Sequence, residues 1–144
     1  MSSIQEAFIT ALNSCSIIRF KDKRLHNSVS RHYYVAIPVD KDTSLLLCII
    51  TSKVENRMDY AKRMKSIDGL VKVSKKDIPC LDMESVIDCN QTTLVSKDSG
   101  KLFWLEISTF ESKGLLSPEV KNKVFTAIRK STVIPEAIKQ MLSD

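Results

Sequence analysis

Residues 31–53 read RHYYVAIPVDKDTSLLLCIITSK, and the fold class follows from how this stretch is parsed. Tyr33, Tyr34, Val35, Ile37 and Val39 form one apolar run and Leu45 to Ile50 a second, both rich in aromatic or branched side chains that suit a pleated surface. Asp40, Lys41 and Asp42 between them are turn residues, so the stretch predicts a β-hairpin. Arg31 and His32 enter the hairpin and Thr51, Ser52 and Lys53 leave it. In a hairpin those two ends lie side by side, which gathers donors and cations on one rim.

Working outward, the other segments are short. Ile4, Ala7, Phe8, Ala11 and Leu12 fall at helical spacing within Ser2 to Asn13, with Ser3 and Glu6 as a capping box. Its apolar stripe predicts packing on the domain, or docking on a partner. Cys15 to Phe20 reads as a strand that runs into a polar loop carrying Lys21, Lys23, Arg24 and His26. Such a loop suits a phosphate backbone, and it equally suits an exposed connection.

Beyond the hairpin, Val54, Met58, Ala61 and Met64 approach helical spacing, with Arg57, Lys62, Arg63 and Lys65 on other faces. A basic amphipathic helix or an ordered loop fits, with both methionines in the core and Gly69 as the stop. Leu70 to Val73 reads as a short strand. From Ser85 a strand begins apolar and turns polar at Asn90-Gln91-Thr92-Thr93, the pattern of a groove-facing site or of a solvated edge. Leu102 to Ile107 reads as a further strand or packed loop, with Trp104 in the core and Gly114 ending the segment. Ser117-Pro118 opens the clearest helix, with serine as N-cap, proline at the first turn and Val120, Val124, Ala127 and Ile128 on one stripe to about Ser131. A last short helix opens at Pro135.

Composition limits what this chain does. At 144 residues it is predicted to be one domain: an N-terminal helix over 1–14, strands with an inserted helix or loop over 15–116, and helices over 117–144. No apolar run approaches the roughly 20 residues that span a bilayer. The start, MSSIQEAF, has no basic segment followed by an apolar one, so a cytoplasmic protein without membrane partners is expected. Lys and Arg outnumber Asp and Glu by 22 to 17, a net +5 that fits an acidic partner such as nucleic acid and fits a solvated surface nearly as well. Cys15, Cys48, Cys80 and Cys89 are scattered without a C-x-x-C pair and read as reduced core thiols.

Standard catalytic signatures are missing. Only Gly69, Gly100 and Gly114 are present, none in a phosphate-binding pattern, and the two histidines show no zinc spacing. Neither nucleotide hydrolysis nor a resident metal or other cofactor is expected.

Three phrases resemble the MazF/PemK family of bacterial toxins. HYYVAIPVD followed by LLLCIITSK is similar to that family's second and third strands, DIPCLDMESVIDCNQTTLVSK to its loop and strand ending in Gln and a hydroxyl residue, and KGLLSPEVKNKVFTAIRKS to its last helix. The resemblance implies a mainly β fold with peripheral α-helices: a small SH3-like barrel with a C-terminal helix, here with an extra N-terminal helix. It further implies a homodimer, neutralised by an antitoxin protein, that cuts single-stranded RNA without metal. The 2′-OH attacks the adjacent phosphate, which requires proton transfer and donors for the phosphorane oxygens. The family's Arg position matches Arg31 or His32 and its Thr position Thr51 or Ser52: Arg31 would hold phosphate, His32 would move a proton, and Thr51 would hydrogen-bond a phosphate oxygen. Lys21, Lys23, Arg24, Lys53, Gln91 and Thr93 would contact the RNA. One departure stands out: the family's Arg-Pro pair is Arg31-His32 in this chain. A non-catalytic toxin, or a nucleic-acid or protein-binding module on the same barrel, is the alternative.

Overall fold

The computed structural model describes residues 8, 13–22, 31–39, 44–97 and 105–142. Of the N-terminal helix expected over 2–13, only Phe8 and Asn13 are described, and both are helical. Lys23, Arg24, the hairpin turn at 40–43 and Trp104 lie outside the described residues.

The described chain is mainly β. Its strands are β1 (Ser16–Asp22), β2 (His32–Val39), β3 (Ser44–Thr51), β4 (Leu70–Val73), β5 (Ser85–Ser96) and β6 (Leu105–Leu115). They lie in one sheet in the order β4-β5-β3-β2-β1-β6. The helices are α1 (Val54–Arg63), α2 (Pro118–Lys130) and α3 (Glu136–Gln140), with a 3₁₀ turn over Ile67–Gly69. The chain divides into two compact units, Met1–Leu47 with Thr93–Leu115, and Cys48–Thr92 with Leu116–Asp144.

In the first unit β1 pairs antiparallel with β2, from Ser16 opposite Ala36 to Phe20 opposite His32. On its other side β1 pairs antiparallel with β6, and that ladder slips register twice. Thr109 repairs one slip: its hydroxyl accepts the Lys21 N–H at 2.9 Å and donates to the Glu106 carbonyl at 2.6 Å, so the irregular backbone is not left unpaired. Gly114 does not end the last strand, which continues to Leu115 with Gly114 at φ 104°, a conformation open to glycine. Val35, Ala36 and Ile37 on β2, and Leu45, Leu46 and Leu47 on β3, are all buried. Successive strand residues point to opposite faces, so both faces are covered here and the hairpin is more deeply buried than a half-exposed pleat. Phe20 stacks on Tyr34 with centroids 4.7 Å apart, and Phe8 meets Phe110 edge-on at 5.5 Å.

The second unit pairs β4 with β5 antiparallel, Leu70 opposite Asp88 through Val73 opposite Ser85. Helix α2 begins as its sequence requires: Ser117 Oγ accepts the Val120 N–H at 3.2 Å, and Val120, Val124, Phe125, Ala127 and Ile128 are its buried side. Helix α1 stops earlier than Gly69. Lys65 adopts φ 56°, Ser66 N–H donates to the Ala61 carbonyl at 2.9 Å and Lys65 N–H to the Lys62 carbonyl at 3.1 Å, the paired bonds of a Schellman ending. Gly69 answers to packing instead: a Cβ there would fall 1.9 Å from Asn90 Oδ1. That oxygen is already held by the hydroxyls of Ser66 at 2.8 Å and Ser131 at 2.6 Å, while Asn90 Nδ2 donates to the Ser66 carbonyl at 2.8 Å. This buried, fully paired network ties the 3₁₀ turn, β5 and the end of α2 together.

Candidate nucleic-acid interface

Strand β5 changes character at its middle. Ser85 to Asn90 are all buried, then Gln91 is exposed, which matches the apolar-to-polar switch in its sequence. The switch places Gln91 beside α1, where Gln91 Oε1 accepts a hydrogen bond from Arg57 Nη1 at 2.6 Å. The same nitrogen donates to Asp88 Oδ2 at 3.1 Å, and Asp88 Oδ1 accepts the Asn90 N–H at 3.0 Å. Asp88 has a side chain only 2% exposed, so it anchors Arg57 from beneath, while the Arg57 side chain stays a quarter exposed. The Arg57 backbone N–H donates to the Lys53 carbonyl at 3.2 Å, and both side-chain bonds leave from Nη1, so Nε–H and the Nη2 hydrogens face no acceptor among the described residues.

Around this fixed cation lies a cavity of about 270 Å³ lined by Lys53, Asn56, Arg57, Tyr60, Arg63 and Gln91. Lys53 at the N-cap and positions 56, 60 and 63 follow one another at steps of three or four, with 57 beside 56, so they share one side of α1. Ser52, Lys53, Val54, Glu55, Asn56 and Asp59 line a neighbouring cavity that shares Lys53 and Asn56 with the basic one and takes the carboxylates Glu55 and Asp59 into its own lining. Thr51 shapes the approach: its hydroxyl accepts the Lys53 N–H at 3.2 Å where the strand turns into the helix.

Of the residues expected from the sequence, Ser52, Lys53 and Gln91 line these cavities and Thr51 precedes them. Lys21, Arg31, His32 and Thr93 belong to the first unit. There Arg31 is engaged: its Nη1 donates to Glu111, which also meets Lys113 Nζ at 3.1 Å and Arg19 Nη1 at 3.8 Å. The bond from Lys113, then that from Arg31, holds the Glu111 carboxyl below its usual range. His32 is half-buried opposite Phe20, Lys21 faces Glu106 at 3.7 Å, and Thr93 is exposed on β5. Cys48 and Cys89 are both buried, and the hydrogen bond with Cys48, which holds the Cys89 thiol in its protonated form, followed by burial pushes that thiol well above the ordinary value, away from thiolate chemistry.

Asn56, Arg57, Tyr60 and Arg63 were not singled out as site residues by sequence reasoning. Their signal was present as a polar, basic and aromatic stripe flanking Ala61, the buried residue of α1. Of the two methionines expected in the core, Met58 is half-buried, but Met64 is 43% exposed and is no core residue. No helix among the described residues is long and apolar enough to cross a membrane. No protein-family model matches the chain, and no curated protein is detectably similar to it.

Proposed function

We propose that the chain acts on single-stranded RNA as a toxin-type endoribonuclease of the MazF/PemK kind, on a small SH3-like barrel. The observation that supports RNA as the ligand is Arg57, pinned by buried Asp88 and by Gln91 inside a cavity that Lys53 and Arg63 make basic. A guanidinium held in place before the ligand arrives loses little freedom on meeting phosphate. The resemblance at Arg31, His32, Thr51 and Ser52 supports cleavage by the neighbouring 2′-OH. Pure protein is to be incubated with a long single-stranded RNA and a chelator; fragments ending in cyclic phosphate are expected, and Arg31→Ala and Thr51→Ala are expected to abolish them. Absence of fragments from the wild-type chain sinks the nuclease reading.

A second reading, RNA bound without being cut, is favoured by one observation. Arg31 is already paired with Glu111, and Thr51 already accepts the Lys53 N–H, so both groups have structural employment. It predicts RNA binding that survives Arg31→Ala and Thr51→Ala with no fragments at any time.

A further inference from the structure

We propose that Tyr60 and Arg63 form a stacking subsite for one unpaired nucleobase, beside the phosphate-holding cations Lys53 and Arg57; the inference rests on the RNA reading above. Tyr60 is 42% exposed on a helix whose buried residue is Ala61, so its ring is not packed into a core. Arg63 is its neighbour: the guanidinium carbon lies 5.8 Å from the ring centroid, close enough for a cation–π contact that orients the ring. One side of the phenol is therefore supported by a cation and the exposed side offers a flat π-surface.

The rest of the lining selects the ligand class. The cavity holds three cations, two carboxamides and one aromatic ring, with no carboxylate among its lining residues. Cations alone would suit any polyanion. Asn56 and Gln91 add donors and acceptors that match base edges and ribose hydroxyls, and the ring adds a face for a base. An acidic peptide would use the cations and leave the ring without a partner. Another groove of this unit, of about 490 Å³ between the 3₁₀ turn, β4 and α2, carries Lys72, Lys123 and Lys130 together with Asp68, but its apolar lining is Ile67, Leu70, Val71 and Ala127 with no aromatic ring. Stacking singles out the α1 cavity.

A base can reach the ring only when it is out of a duplex. Binding of a short fluorescent single-stranded RNA is to be measured by anisotropy for the wild type and for Tyr60→Phe, Tyr60→Leu and Tyr60→Ala, with each variant's thermal midpoint recorded. Tyr60→Phe is expected to bind within about twofold of wild type, because the π-face remains. Tyr60→Leu and Tyr60→Ala are expected to lose about 5- to 150-fold, the loss that corresponds to one stacked base. On an abasic ribose-phosphate strand all four proteins are expected to bind alike. If Tyr60→Leu and Tyr60→Ala bind the RNA as tightly as wild type, the stacking subsite is refuted while the RNA reading stands. If the wild-type protein binds no RNA, the RNA reading itself falls, and the subsite falls with it.

Discussion

Arg31 and Arg57 each meet a carboxylate, and the burial of that carboxylate decides what each pair is worth. Asp88 is almost fully buried, so Arg57 is needed to balance a charge that water cannot reach. Glu111 has a side chain 32% exposed, and its pairs with Arg31, Lys113 and Arg19 are screened. Glu111 titrates below the ordinary glutamate range, so it binds protons less readily folded than unfolded. Such a group adds stability that is complete above its unfolded value and disappears as pH falls through the lower native value. Glu111→Gln is therefore expected to cost no more than about 1 kcal/mol near neutral pH. In denaturation series the two proteins should start to converge below about pH 4.3 and coincide once the native carboxyl is protonated. A gap that widens in acid would contradict the assignment. Neither pair was legible in the sequence, because Arg31 and Glu111 stand 80 residues apart and Arg57 and Asp88 stand 31 apart. Periodicity reports which face of an element is apolar, not which polar side chains meet across elements.

Among elements, what was legible was whatever local chemistry decides. The Ser117-Pro118 start of α2, the strand at Leu70–Val73 and the polar turn of β5 all follow from neighbours in sequence, and all are present. The end of α1 differs from the expected glycine stop. Gly69 is the residue type that favours a left-handed helix cap, yet the left-handed position is Lys65, and Gly69 serves the close approach of Asn90. A glycine in sequence has two physical uses, and only the fold tells them apart. The consequence is testable, since a lysine at φ 56° carries a Cβ penalty that glycine lacks. Lys65→Gly is expected to stabilise the protein by about 1 kcal/mol, after allowing for the extra freedom it gives the unfolded chain. The denaturant midpoint should rise with an unchanged slope; an unchanged or lower midpoint would show that the Schellman ending is not strained.

For the whole molecule, the net +5 of the sequence does not say where an anion binds, because the cations are spread over both units and many are paired. Lys21 faces Glu106, Lys113 and Arg31 face Glu111, and Lys123 faces Glu119 at 3.6 Å. Lys53, Arg57 and Arg63 line one cavity with no carboxylate in its lining, although Arg57 is itself paired with Asp88 at 3.1 Å. The number of ions released on binding counts the phosphates that are neutralised, so the salt dependence of affinity measures how local the interface is. Each neutralised phosphate of a single strand adds about −0.7 to the slope of log K against log salt, which makes about −1.4 for Lys53 and Arg63, the charge of Arg57 being balanced by Asp88. Lys53→Ala should lower the magnitude of the slope by about 0.7 and weaken binding to all RNA sequences alike. Lys130→Ala, in the groove between the 3₁₀ turn and α2, should leave both slope and affinity as they were. If Lys130→Ala shifts the slope and Lys53→Ala does not, the RNA path runs along α2, and the α1 cavity is only a solvated basic surface.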